Sequence, residues 1–120
     1  MGMVMKRIYW VLGDQIYATY EDFVAAATEY NNSIDPEENE WNPDQIVSAS
    51  PIKVVYEALW KNEDDTIDLS IGTPGIPVTM GQILFTLNNA TYDFFRDADT
   101  HFFEGLASVN DATYELIVGS

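Results

Sequence analysis

The chain has 120 residues, with 20 Asp and Glu against 5 Lys and Arg, a net charge of −15 and a pI near 4.1. Such a surface repels nucleic acid and anionic lipid, because binding either requires Lys and Arg to displace counterions. A hydrophobic content of 47% with 13% aromatics is too high for a disordered acidic tail, and the absence of cysteine removes disulfides and thiolate metal sites, compatible with a reducing cytoplasm.

The length points to one domain over residues 1–120 with one core. Lys6 to Leu12 reads as a strand, since Ile8, Tyr9, Trp10 and Val11 are β-branched or aromatic and do not alternate, which predicts burial on both faces. Its apolar part is too short for a signal-peptide core or a membrane span. Gly13 and Asp14 end it. Thr19 to about Tyr30 reads as the first helix. Thr19 and Asp22 have cap-and-N3 spacing, Tyr20, Phe23, Val24, Ala27 and Tyr30 share a face, and Asn31 and Asn32 serve as terminators.

Residues 31–51 then break the rhythm as a long acidic loop. Pro36, Pro43 and Pro51 punctuate it, and Trp41 sits among Asp35, Glu37, Glu38, Glu40 and Asp44. Asn42 and Pro43 are expected to open one short helical turn through about Val47. A connection this long in a compact domain is usually functional or disordered.

Ile52 to Trp60 reads as a strand with Ile52, Val54, Tyr56, Ala58 and Trp60 on one face. Thr66 to Ile71 alternates, with Ile67, Leu69 and Ile71 inward and Asp68 and Ser70 outward. Joined by the polar turn Lys61 to Asp65, the two predict an antiparallel hairpin. Gly72 to Pro77 is a loop that delivers the chain to Thr79.

Thr79 to Asp97 is the strongest periodic stretch. Met80, Ile83, Leu84, Leu87, Ala90, Thr91, Phe94 and Phe95 recur at helical spacing over about four turns. Thr79 with Gln82 forms a capping box, and Val78 with Ile83 a hydrophobic staple. His101 to Ala107 and Thr113 to Val118 read as two final strands joined by a turn at Ser108 to Asp111, with Tyr114, Leu116 and Val118 on one face. Phe102 and Phe103 are both expected to be buried. The order β-α-β-β-α-β-β predicts an α+β domain: a mostly antiparallel sheet of about five strands with two main helices on one face.

No spacing specifies a cofactor, and none is expected. The Asp35 and Asp64 segments fail the calcium-loop pattern, and Gly72 to Pro77 lacks the spacing of a phosphate loop. Asp99, His101 and Glu104 surround the single histidine. Strand parity puts Glu104 on the opposite face from the other two, which favours a hydrogen-bonded histidine over catalytic or metal chemistry.

The charge pattern carries the functional expectation. Nine acids and no base lie between Arg7 and Lys53. That composition suits a cytoplasmic binding protein that neutralises a basic protein partner such as a nuclease or toxin, in the manner of an immunity protein or a nucleic-acid mimic. Asp35, Glu37, Glu38, Glu40, Trp41 and Asp44 are the expected partner-binding residues: an aromatic anchor inside an acidic rim. Two other accounts compete. Trp41 can instead fold back to pin the loop, and the acidity can serve solubility alone in an assembly protein. A small enzyme using His101 and a carboxylate is the third reading.

Overall fold

The computed structural model describes residues 3–57, 66–96, 101–110 and 112–119. In chain order the elements are β1 (Met3–Val4), α1 (Tyr20–Ile34), β2 (Ile46–Ser48), β3 (Ile52–Glu57), β4 (Thr66–Ile71), β5 (Val78–Thr79), α2 (Met80–Ala90), α3 (Tyr92–Phe95), β6 (Phe102–Ser108) and β7 (Thr113–Gly119). The expected segments Ala58 to Trp60 and Lys61 to Asp65 lie outside the described residues, as does Asp111.

The fold is α+β. Five strands form one sheet in the order β1-β6-β7-β3-β4, and β2 with β5 makes a separate two-stranded ladder. The pairings β1–β6, β6–β7 and β3–β4 are antiparallel, and β3 runs parallel to β7. The β3–β4 hairpin has the register that its alternation predicts, with Val54 opposite Leu69 and Ile52 opposite Ile71. The inner face of the sheet contributes Ile52, Val54, Ile67, Ile71, Phe103, Leu106 and Leu116 to a core shared with Phe23, Ala27, Ile83, Leu84 and Leu87. Six of the eleven residues of α2 are buried, against three of fifteen in α1. α2 is thus the central helix, with α1 packed across it.

Five expectations need correction. The first strand does not run from Lys6 to Leu12. Met3 and Val4 pair with Ala107 and Leu106 of β6, and then Met5 and Arg7 take left-handed φ of 58° and 56° and turn the chain aside. The chain rejoins β6 farther along: the Leu12 N–H donates to the His101 carbonyl at 2.8 Å, and the Phe103 N–H to the Trp10 carbonyl at 2.9 Å. The sequence showed apolar content but not the detour. The helix α1 runs past Asn31 and Asn32 to Ile34, because Asn31 is buried and spends its side chain on Tyr9 rather than on ending the helix. The Asn42 to Val47 segment is a single turn followed by β2, not a helical turn. Its carbonyls are needed elsewhere: Gln45 accepts the Met80 N–H at 2.8 Å and Pro43 the Gly81 N–H at 3.0 Å, satisfying orphan donors at the start of α2.

The fourth correction is the long helix, which breaks at Thr91. Its hydroxyl donates to the Leu87 carbonyl at 2.6 Å, and its N–H donates to the same oxygen at 3.0 Å. Such side-chain competition bends a helix; Thr91 adopts φ −107° and ψ 10°, and the separate helix α3 follows. Ala90 is therefore exposed, and Phe95 rather than Phe94 is fully buried. The start is as predicted, with the Thr79 hydroxyl accepting the Gln82 N–H at 3.2 Å. Likewise Phe103 is buried, but Phe102 is 40% exposed.

Candidate binding face

The acidic loop runs back along α1. Helix α1 starts at the Thr19 cap, whose hydroxyl accepts the Asp22 N–H at 3.1 Å, and ends at Asp35. From there the chain reverses. Asn39 reaches the Asp35 carbonyl at 2.7 Å and the Asn32 side chain at 3.3 Å. Trp41 reaches Thr28, one turn earlier, and Pro43 with Asp44 lies beside Tyr20, Glu21, Val24 and Ala25 near the helix start. A 15-residue helix is about 22 Å long. The six expected residues are therefore strung along one helix rather than gathered in one spot.

Their roles differ. Asp35 is half-buried and architectural: its carboxylate accepts the Glu38 N–H at 3.1 Å and the Tyr9 hydroxyl at 3.4 Å, closing the turn. Partial burial and then the Asp35 carboxylate hold the Tyr9 phenol above its usual pKa. Glu37, Glu38, Glu40 and Asp44 are exposed. Trp41 is half-buried and turned inward. Its Nε1–H donates to the Thr28 hydroxyl at 2.9 Å, and its ring meets Phe23 edge-on at 6.5 Å. The indole holds the loop against the helix.

Sequence reasoning left Glu21, Asp22 and Glu29 out of the site because they belong to α1. The fold sets Glu21 beside Pro43 and Asp44 of the returning loop, while Asp22 and Glu29 are exposed elsewhere on the same helix, Glu29 next to Ala26, Tyr30 and Ser33. Among the described residues the ion pairs are Lys53–Asp68 at 3.4 Å and Arg96–Asp93 at 3.5 Å, both exposed and both away from this face. None of the nine acids from Asp14 to Asp44 has a basic partner among the described residues.

Of the histidine cluster, His101 and Glu104 are among the described residues. Asp99 lies outside the described residues. His101 is half-buried with its ring edge-on to Phe102 at 4.8 Å, and Glu104 is exposed beside Gly119. Among the described residues no three His, Asp or Glu side chains converge as metal ligands, and no helix is long and apolar enough to cross a membrane. Comparison with protein-family models, curated proteins and solved structures finds no match.

Proposed function

We propose that this chain is an acidic binding protein that captures a basic protein partner on the face made by α1 and the loop from Asp35 to Asp44. The observation that carries the reading is the run of nine acids from Asp14 to Asp44 without a cationic counterpart among the described residues. Apart from Asp35, which closes the turn, and Glu21 and Asp22, which suit the positive end of the α1 dipole, these carboxylates are exposed and have no cationic partner among the described residues. They repel one another, and held along a helix they create a directed negative field. A basic partner relieves that repulsion and is drawn in by it. An inhibitor that occupies the nucleic-acid surface of a basic enzyme fits this chemistry. The inward turn of Trp41 shifts the reading away from a central aromatic anchor and toward the carboxylates themselves.

The test compares two charge reversals of equal size in association kinetics at two ionic strengths, with the captured partner. Glu37→Lys with Glu38→Lys alters the proposed face. Asp68→Lys with Glu115→Lys alters the outer sheet face, where both side chains are exposed. The first pair should slow association by about tenfold at low salt and flatten its salt dependence, and the second should act much less. Equal effects would mean that only net charge matters, as expected if acidity serves solubility alone.

A further inference from the structure

The other flank of α1 carries a cleft that the acidic loop does not touch. It has a volume of about 250 Å³ and is lined by Trp10, Val11, Asp14, Tyr17, Ala26 and Tyr30. That is below the roughly 300–1,000 Å³ of sites that enclose whole small molecules. Trp10 is the hub: Tyr17 lies 6.0 Å from it and Tyr30 5.6 Å, centroid to centroid. Both tyrosines line the cleft together with the indole.

The cleft is held in shape from below. The Trp10 Nε1–H donates to Asn88 at 2.9 Å, and Asn89 binds both backbone groups of Tyr17, accepting its N–H at 3.1 Å and donating to its carbonyl at 2.8 Å. The Tyr17 and Tyr30 hydroxyls have no hydrogen-bond partner among the described residues. Asp14 supplies a carboxylate at the rim, exposed and without an ion pair among the described residues. Its charge reaches both rings: burial first, and then Asp14, pushes each phenol above its usual pKa. A second shallow cleft shares Ala26 and Tyr30 and adds the Glu29 carboxylate.

Three aromatic rings around a small open space, with one carboxylate at its rim, is the chemistry of a cation cage. Ring faces attract an ammonium or guanidinium within about 6 Å, and the carboxylate supplies the neutralising charge. We propose that the cleft between Trp10, Tyr17 and Tyr30 seats a lysine or arginine side chain of the basic partner, with Asp14 as its counter-charge. The inference rests on the reading of the acidic face and names the group that this face receives on its second flank. The alkyl stem would lie against Val11 and Ala26.

The test needs no knowledge of the partner. Blocked lysine, trimethyllysine and arginine are titrated into the full chain and followed by NMR, with blocked norleucine and citrulline as neutral counterparts. The cations should bind with a dissociation constant on the order of millimolar. The probe protons near the charge should move upfield under the ring currents, and the Val11 and Ala26 methyl signals should shift. Asp14→Asn, an exposed substitution, should weaken binding by about three- to tenfold. Neutral probes that bind as well as the cations would overturn the inference, as would the absence of any shift at tens of millimolar. The two readings fail separately. Small cations in the cleft without any docking basic protein support the cage and count against the acidic face as a docking surface. A salt-dependent partner indifferent to Asp14→Asn overturns the cage and leaves the face standing.

Discussion

Asn31 offers the sharpest test of how this fold is held. It is fully buried in α1 and makes three hydrogen bonds: it accepts the Tyr9 N–H at 2.7 Å and donates to the Tyr9 carbonyl at 3.0 Å and the Ala27 carbonyl at 2.8 Å. Asn31→Ala removes all three. At about 0.5–1.5 kcal/mol per bond the loss is about 1.5–4.5 kcal/mol, and alanine's better helix propensity returns roughly 0.5. We expect about 2–3 kcal/mol, read as a lower urea midpoint at unchanged slope. Asn31→Asp adds a pH signature. It keeps an acceptor for the Tyr9 N–H but buries a carboxylate, whose folded pKa must rise above the unfolded value near 4. A raised folded pKa gives stability that is present below the unfolded pKa and lost as pH rises, so this variant should be most stable at acid pH, relative to wild type, and worsen toward neutrality. A loss under about 0.5 kcal/mol for Asn31→Ala would show that water replaces the side chain and that the joint is not structural.

Leu87 is fully buried in α2, so Leu87→Ala should cost about 2–5 kcal/mol by chemical denaturation; a loss of a few tenths would remove α2 from the centre of the core. Gly81→Ala should destabilise by about 1 kcal/mol or more in thermal melts even though alanine gains about 1 kcal/mol in a helix, because the added Cβ would sit 2.8 Å from the Pro43 side chain and collide with Tyr20; a stabilised variant would show that the loop simply yields. In an alkaline absorbance titration Tyr17 and Tyr30 should ionise later than an exposed tyrosine, since their pKa values lie above 10.0. Their folded pKa values are raised, so the stability they contribute is intact below pH 10 and falls above it, and Tyr17→Phe with Tyr30→Phe should flatten that fall. Raising salt from low to physiological strength should raise the melting temperature, because it screens repulsion among the carboxylates while only two exposed ion pairs are weakened among the described residues.

What the sequence made legible is what local chemistry decides. The caps at Thr19 and Thr79 bond as their spacing predicts, and the β3–β4 hairpin has its expected faces, because hydroxyl-to-backbone reach and period-2 alternation are properties of a few neighbouring residues. Thr91 looked like one more position on an apolar face, yet its hydroxyl bonds the Leu87 carbonyl of its own helix, a competition that apolar periodicity does not register. Two other errors share a cause: Asn31 looked like a helix terminator and Gln45 like part of a helical turn, and each is used for a hydrogen bond to a partner distant in sequence, Tyr9 and Met80. The candidate site was half legible for the same reason. The loop acids stand out as a charge run, whereas the cleft draws Trp10 and Tyr17 from one segment and Tyr30 from the helix. The one local hint was the aromatic content of residues 9–30, which the amphipathic face of α1 absorbed.

The excess of charge and the choice of buried polar groups belong to one solution. Residues 8 to 17 form no regular element, so their backbone groups need partners from outside. Three asparagines supply several of them, Asn31 at Tyr9, Asn88 at the Gln15 carbonyl and Asn89 at Tyr17, and Asn88 also accepts the Trp10 indole N–H; backbone groups of His101 and Phe103 meet Leu12 and Trp10. An ionic joint would have required Lys or Arg, of which the chain has five, or would have left a carboxylate buried without compensation. A neutral amide donates and accepts at once, and its bonds do not weaken as the surface grows more negative. These interior joints are therefore fixed independently of the exterior charge, and of the acids along α1 and its returning loop only Asp35, which closes the turn, makes side-chain hydrogen bonds among the described residues. That separation is compatible with the proposed capture of a basic partner: exposed carboxylates such as Glu37 and Glu38 can be reversed without touching the asparagine bonds that hold the segment carrying Trp10 and Tyr17.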